Sequence, residues 1–245
     1  MIALPGTQAR RRIYLMRHGH VDYLAKHVVA TGGVNVVPLT NRGRLQAEAA
    51  GAALAHVKFD RAVCSGYPRT HQTASCVLAA QEHPPALEID EGLVERGNGK
   101  FPKVNSRAEL VELMRGQFSG EGVTQPGDRA IEGAEPAEAA QTRAVTSIRR
   151  LLREAGWHTA LVVAHEGINR LLLSWACGAG PNATGAFEQD TGCINVLDFD
   201  LRADGEIART MIKSVNLTPY NWLKHGMNLT SLEALFERDA SEELR

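Results

Sequence analysis

Two apolar runs of the same shape, far apart in the chain, limit what it can fold into more than any other feature. Ile13-Tyr14-Leu15-Met16 ends abruptly in Arg17-His18-Gly19-His20, and Ala160-Leu161-Val162-Val163-Ala164 ends in His165-Glu166-Gly167. Short continuous apolar runs with sharp ends read as buried strands. A strand that stops in a cation, an imidazole and a glycine delivers chemistry to the edge of a sheet. Open α/β sheets keep their ligand crevices at the carboxyl ends of their strands. The two histidines are therefore expected to face one site.

The segments between them alternate helix with strand. Thr40 reads as an N-cap, with Leu45, Ala49, Ala52 and His56 on one face of the helix behind it. Phe59 to Ser65 alternates as a strand. Ser65-Gly66-Tyr67-Pro68-Arg69 then turns into a second helix, with Pro68 in its first turn and an end near Ala80, before His83-Pro84-Pro85. Arg69 thus falls at a helix N-terminus just past a strand end, a position that suits an anion. Leu87-Glu88-Ile89 and Leu93-Val94-Glu95 read as extended. From about 96 to 133 the chain is irregular and glycine-rich, with one short helix near Arg107 to Met114. A connection this long reads as a cap that sets specificity.

Pro136 opens a long amphipathic helix with Ala140, Ile148, Leu151, Leu152 and Ala155 buried and Gly156 at its end. A buried helix from about Ile168 to Ala176 follows the His165 strand, and Cys193 to Phe199 and Glu206 to Val215 read as closing strands. The tail, about 218 to 245, pairs Thr230 with Glu233 in a capping box ahead of Leu232, Leu235 and Phe236. It reads as a helix docked on the surface or at a homodimer contact. Such alternation predicts one α/β domain over 1–245 with a mixed or largely parallel sheet.

Composition excludes several classes. With 245 residues, 44% apolar and 22% charged, the chain can bury a proper core and is not a disordered protein. A net charge of −1 gives no field for nucleic acid. Arg10-Arg11-Arg12, the one dense basic run, reads as a solvated lead-in to the first strand. Cys64, Cys76, Cys177 and Cys193 show neither C-x-x-C nor zinc spacing, and read as reduced, mostly buried thiols. Met1 to Arg12 lacks the apolar core of a signal peptide, and no apolar run is of membrane-spanning length. The expectation is a cytoplasmic protein with neither membrane nor nucleic-acid partner.

Arg17, His18, Arg69 and His165 would gather two permanent cations and two imidazoles. Such a cluster needs an anion, and arginine forks match phosphoryl oxygens better than a carboxylate. Histidine can act as a covalent nucleophile, so hydrolysis in two steps would pass through a phosphohistidine. An acid must still protonate the leaving oxygen. Glu95 is the best-placed carboxylate, with Glu88 and Glu91 close by.

Four ordered motifs now stand together: Leu15-Met16-Arg17-His18-Gly19; Leu39-Thr40-Asn41-Arg42-Gly43 with Gln46-Ala47; Ser65 to Arg69 with Thr73-Ala74; and Val162-Val163-Ala164-His165. The set resembles the histidine phosphatase superfamily in its smaller first branch, from about Arg12 to Phe199. Gly192-Cys193-Ile194-Asn195 with Asn216-Leu217-Thr218-Pro219-Tyr220 also resembles a bacterial subgroup of that family. The resemblance implies a three-layer α/β/α fold of the phosphoglycerate mutase type with a mostly parallel sheet. It further implies that His18 attacks phosphorus, Arg17 and Arg69 hold its equatorial oxygens, and His165 donates to them as charge develops. Glu95 then protonates the leaving group and later activates water. The substrate would be a small phosphorylated metabolite and the product inorganic phosphate, with no metal and no cofactor.

The chain also departs from the family. His20 and Val21 follow Arg17-His18-Gly19 where an acidic or polar residue and then Ser or Thr are usual, which places His20 at the pocket rim. Glu166 follows His165 where glycine is common, and it is expected to turn away from an anion. Mutases of the family carry Glu-Arg-His-Tyr-Gly at the acid. Glu95-Arg96-Gly97-Asn98-Gly99 lacks that tyrosine, which favours phosphatase over mutase-type phosphoryl transfer. His18-Gly19-His20-Val21-Asp22 also spells the opening of a dinuclear metal site, so a metal-dependent hydrolase using His18, His20 and Asp22 is a rival. Tyr23, where the next histidine would stand, counts against it. A phospho-ligand binding module without turnover is a third reading. The remaining histidines (His27, His56, His71, His83, His158 and His225) read as ordinary surface or boundary residues.

Overall fold

In the computed structural model the described residues are 9–23, 34–97, 133–231 and 233–234. Six strands form one sheet in the order β3-β2-β4-β1-β5-β6. These are β1 (Ala9–Arg17), β2 (Arg61–Cys64), β3 (Leu87–Ile89), β4 (Thr159–Ala164), β5 (Ile194–Leu201) and β6 (Ile207–Leu217). The β1–β4, β2–β4 and β2–β3 pairings are parallel, whereas β5 runs antiparallel to both β1 and β6. The sheet is therefore mostly parallel, with β5 as its one reversed strand.

Side-chain alternation along the two central strands builds the layers. Ile13 and Leu15 of β1, with Ala160, Val162 and Ala164 of β4, join one core cluster with α3 (Ala137–Arg153) and α4 (Glu166–Ala176). Met16, Leu161 and Val163 point the other way, into a second cluster with α1 (Asn41–Leu54) and α2 (Pro68–Leu78). Trp157 and Phe199 are the largest fully buried side chains of the first cluster. Each such burial is worth roughly 1.5–3 kcal/mol. The result is the three-layer α/β/α arrangement.

Four expectations fail here. Arg10-Arg11-Arg12 is not a solvated lead-in but part of β1. Arg10 and Arg12 form forked pairs with Asp200 and Asp198 of β5, and the Arg11 guanidinium lies 5.1 Å over the Trp157 ring. The sequence pattern missed this because the acidic partners stand about 190 positions away. The buried face of α1 is also the opposite of the expected one. Gly43, Gln46, Ala47, Ala50, Gly51 and Leu54 face inward, while Leu45 is 66% exposed. Close approach to the His20 backbone and to α2 leaves room only for small side chains, which outweighs the burial of one leucine. Ala155, expected on the buried face of α3, is exposed, and Leu93 lies in a 3-10 turn (Glu91–Leu93) rather than an extended run.

The other boundaries agree closely. Thr40 caps α1 by accepting from the Gly43 N–H, Pro68 opens α2, and Gly156, at φ 85°, follows α3. Thr230 and Glu233 form the reciprocal hydrogen bonds of a capping box. Leu232, Leu235 and Phe236 lie outside the described residues, as do His27, the Arg107 to Met114 helix and nearly all of the expected cap.

Candidate active site

Strand pairing brings the two histidines together. Arg17 of β1 stands opposite Ala164 of β4, so His18 and His165 leave adjacent parallel strands at the same level. The His18 N–H donates to Ala164 O at 3.1 Å, which ties the two strand ends. The imidazole rings are 5.3 Å apart between centroids, and both are buried.

The loop after β1 turns over α1. Gly19 and Gly43 lie back to back: a Cβ on Gly19 would sit 2.4 Å from Gly43 O, and one on Gly43 would sit 2.1 Å from His20 O. The Gly19 N–H donates to Thr73 Oγ1, and that hydroxyl donates to Arg69 O. His20, half-buried, places Nδ1 2.8 Å from Thr40 Oγ1.

His18 Nδ1 lies 2.7 Å from Gly19 O. A carbonyl only accepts, so Nδ1 carries the proton and Nε2 keeps its lone pair. Burial, together with Arg69 and Arg17, holds the His18 pKa well below the usual imidazole range. His18 is therefore neutral at pH 7 and presents an unprotonated Nε2. Burial, His18 and the same two arginines also keep His165 neutral.

Both arginines are buried. By the alternation of β1, Arg17 falls on the α4 side, where its Nη2 pairs with Glu166 at 2.8 Å and its Nη1 donates to Gln189 O. Burial opposes the Arg17 charge most strongly, but Glu166 together with Tyr23, Cys193 and Glu95 outweighs it, so its pKa is raised. Glu166 thus does not turn away as expected. It is locked between Arg17 and Arg170 (2.9 Å) and also accepts from Ser231 Oγ, because this buried carboxylate needs cationic partners. Arg69, in the first turn of α2, stacks 4.8 Å from the Tyr67 ring and 5.7 Å from that of Tyr23.

Glu95 reaches the site from the chain after β3. Arg143 of α3 donates to Gly92 O and Val94 O, and Arg96 Nε donates to Glu135 O. These bonds clamp the backbone on either side of Glu95. Its carboxyl accepts from the Arg96 N–H and from the Gly167 N–H in the first turn of α4. A Cβ at 167 would meet Oε1 at 2.8 Å, so glycine there admits this contact. Burial pushes the Glu95 pKa up, further helped by Glu166, while the two N–H donors and Arg69 pull it back only in part. A carboxyl that keeps its proton longer than usual suits an acid.

Several residues of this site escaped sequence reasoning. Ser65 meets His165 Nε2 at 2.7 Å, and Tyr67 packs against the same ring. Both lie in a quoted motif, which gave the signal without the role. Gln189 supports Arg17 and exchanges amide hydrogen bonds with Asn195, whose Oδ1 also accepts from the Asn216 N–H. Nothing in the local pattern marks Gln189. Among the described residues no group of three or more His, Cys, Asp or Glu side chains is arranged to hold a metal ion. No helix among them is long and apolar enough to cross a membrane.

A three-layer α/β/α sheet thus carries two neutral histidines, two buried arginines and a carboxyl of raised pKa at its strand ends. The chain belongs to the histidine phosphatase superfamily (branch 1), whose model it matches over residues 13–209. It is 28% identical over 190 residues to the adenosylcobalamin/alpha-ribazole phosphatase of Escherichia coli, covering 77% of this chain and 90% of that one. It is 26% identical to the 2-carboxy-D-arabinitol-1-phosphatase of Triticum aestivum, covering 88% of this chain but only 42% of the wheat protein, and it spans 44% of the relative from Arabidopsis thaliana. In fold it is similar to mycobacterial glucosyl-3-phosphoglycerate phosphatase, with a TM-score of 0.68 and 22% identity over 84% of this chain and 99% of that one. The Escherichia coli and wheat relatives are both named phosphatases.

Proposed function

We propose that the chain is a metal-independent phosphatase that hydrolyses a small phosphorylated metabolite through a phosphohistidine on His18. The observation that carries this reading is the His18 ring, with Nδ1 bonded to Gly19 O and Nε2 bare in a pocket that also holds Arg17, Arg69 and His165. In the first step Nε2 attacks phosphorus in line and the P–O ester bond breaks as the P–N bond forms. The leaving oxygen takes the Glu95 proton. In the second, the Glu95 carboxylate takes a proton from water as that water attacks the phosphohistidine, and inorganic phosphate leaves. Arg17 and Arg69 stabilise the charge on the equatorial oxygens throughout, the role that metal ions fill in other phosphoryl-transfer sites.

The names of the relatives differ in substrate, so they support the reaction class and leave the metabolite open. We assign substrate choice to the segment at about 96–133, within a single domain that ends in the 218–245 tail. Four free cysteines are in keeping with a reducing, cytoplasmic setting.

The test is hydrolysis of an aryl phosphate by wild type and His18→Ala, each with and without a strong chelator. Turnover that survives the chelator and disappears in the variant is the expected result. Turnover abolished by the chelator sinks the proposal in favour of a metal site at His18, His20 and Asp22. Phosphate binding with no hydrolysis would instead indicate a binding module.

A further inference from the structure

We propose that Ser65 and Thr70 are positioning residues that hold His165 with its proton on Nε2, so that Nδ1 is bare in the free protein and the phosphoryl group is bound together with one proton. The inference rests on the phosphatase reading above and adds the ionisation state in which the site takes its ligand, a phosphate-ester monoanion.

Three contacts in a row decide the tautomer. Thr70 Oγ1 lies 2.9 Å from Tyr67 O, which only accepts, so the Thr70 hydroxyl donates there. Toward Ser65 Oγ, also 2.9 Å away, Thr70 can then only accept, and the Ser65 proton points to Thr70. Ser65 Oγ therefore accepts from His165 Nε2 at 2.7 Å. Each hydroxyl has one proton, and this is the single arrangement in which all three contacts are hydrogen bonds. Nδ1 is left as a lone pair. It is buried and has no hydrogen-bond partner among the described residues. The ring packs between the rings of Tyr67 and His18, each 5.3 Å away, at the N-cap of α4.

The groups around it keep Nδ1 bare until an anion arrives. His18 and Arg17 come from the end of β1, Arg69 and Tyr67 from the start of α2, and Arg143 acts from α3. On its own helix Glu166 is bound to Arg17, and the Glu95 carboxyl sits on the Gly167 N–H. An ester monoanion, ROPO3H−, brings the missing proton, which bridges a non-bridging oxygen and Nδ1. As His18 Nε2 forms the P–N bond and the P–O bond breaks, the leaving oxygen takes the Glu95 proton and the bridging proton passes to Nδ1. Water attack then returns that proton to the departing phosphate, so the balance is ROPO3H− + H2O → ROH + H2PO4−.

The tautomer is read directly by nitrogen NMR of the imidazoles in the full chain, labelled with 15N. The expected pattern for His165 is a protonated Nε2 and a bare Nδ1. Thr70→Val frees the Ser65 proton to point at His165, and it should move the ring proton to Nδ1; a purely structural role for Thr70 predicts no such change. A protonated Nδ1 in the wild type, or an unchanged pattern in Thr70→Val, overturns the proposal.

Proton coupling is read by calorimetry of sulfate, a dianion with no proton to bring, in buffers of different ionisation heat. With His18→Ala as host, so that His18 cannot titrate, binding should take up about one proton, falling toward none in the double variant with Thr70→Val. Binding with no uptake in the host overturns the proposal and leaves the phosphatase reading intact. No binding of sulfate or phosphate at all sinks the phosphatase reading, and the proton-coupled binding with it.

Discussion

Each group proposed to react at this site is fixed by a neighbour that removes its freedom. Gly19 O accepts a hydrogen bond from His18 Nδ1, Glu166 and Gln189 O hold two arms of Arg17, and two backbone N–H groups orient Glu95. Such preorganised donors act on developing charge without rearranging at the moment of reaction. Glu95→Gln should slow release of poor leaving groups by roughly 10²–10⁴ and of activated aryl groups far less. Comparing alkyl and aryl phosphates measures this, and equal slowing of both would remove Glu95 as the acid. The pH profile has a definite sign. His18 must be neutral and its pKa is lowered, so activity persists on the acid side of the ordinary imidazole range. Glu95 must be protonated and its pKa is raised, so kcat/KM falls only above the ordinary carboxylate range. In Glu95→Gln the fall due to Glu95 should vanish, leaving only the base-side limb set by loss of the ester monoanion. At this scale the motif residues His18, His165, Arg17 and Arg69 could be read from the sequence. The contacts of Glu166, Gln189 and Ser65 could not, because their partners are 149, 172 and 100 positions away.

The elements that matter most are the β1 end and the start of α1, packed so closely that neither tolerates a side chain. Gly43→Ala would drive a Cβ into His20 O, and a backbone carbonyl at a strand end has little room to yield. The expected cost is about 1–3 kcal/mol of stability, read as a lowered urea midpoint. Activity should fall as well, because His18 and Thr40 are both held by this loop. A substitution without effect on midpoint or turnover would show that the loop adapts freely. Periodicity located α1 and its cap but inverted its face. Pattern reading rewards large apolar residues, whereas Leu45 is exposed and the buried face, apart from Leu54 at its end, is made of alanine, glycine and one glutamine. Close packing, which selects small residues, leaves no hydrophobic signal.

Across the molecule, β5 reverses direction beside β1, and the junction is fastened by arginine–aspartate forks rather than by apolar contacts alone. Asp200 accepts from both Arg10 and Arg209, and its pKa is lowered mainly by the Arg10 hydrogen bond. A carboxylate depressed in the folded state contributes stability that is complete above its unfolded pKa of about 3.9 and is lost as pH falls through its lower folded value. Asp200→Asn should therefore be less stable than wild type at pH 7, and it should lose less on acidification from about pH 5 to 2. Urea midpoints measured across that range decide this. Parallel pH curves would mean that Asp200 has no linked role.

The sequence by itself determined the alternation of helix and strand, the two strand ends that carry histidine, and the cap and breaker residues at most helix ends. These follow from neighbours within a few positions, where side-chain periodicity and backbone preference act. Tertiary structure alone decided which small-residue face of α1 is buried and that Arg10 and Arg12 stitch β1 to β5. It also decided that Glu166 turns inward to Arg17 and which nitrogen of each histidine holds a proton. Those outcomes depend on charges and hydrogen-bond partners brought together from distant parts of the chain, and a buried charge or imidazole has no settled state until its partners are in place.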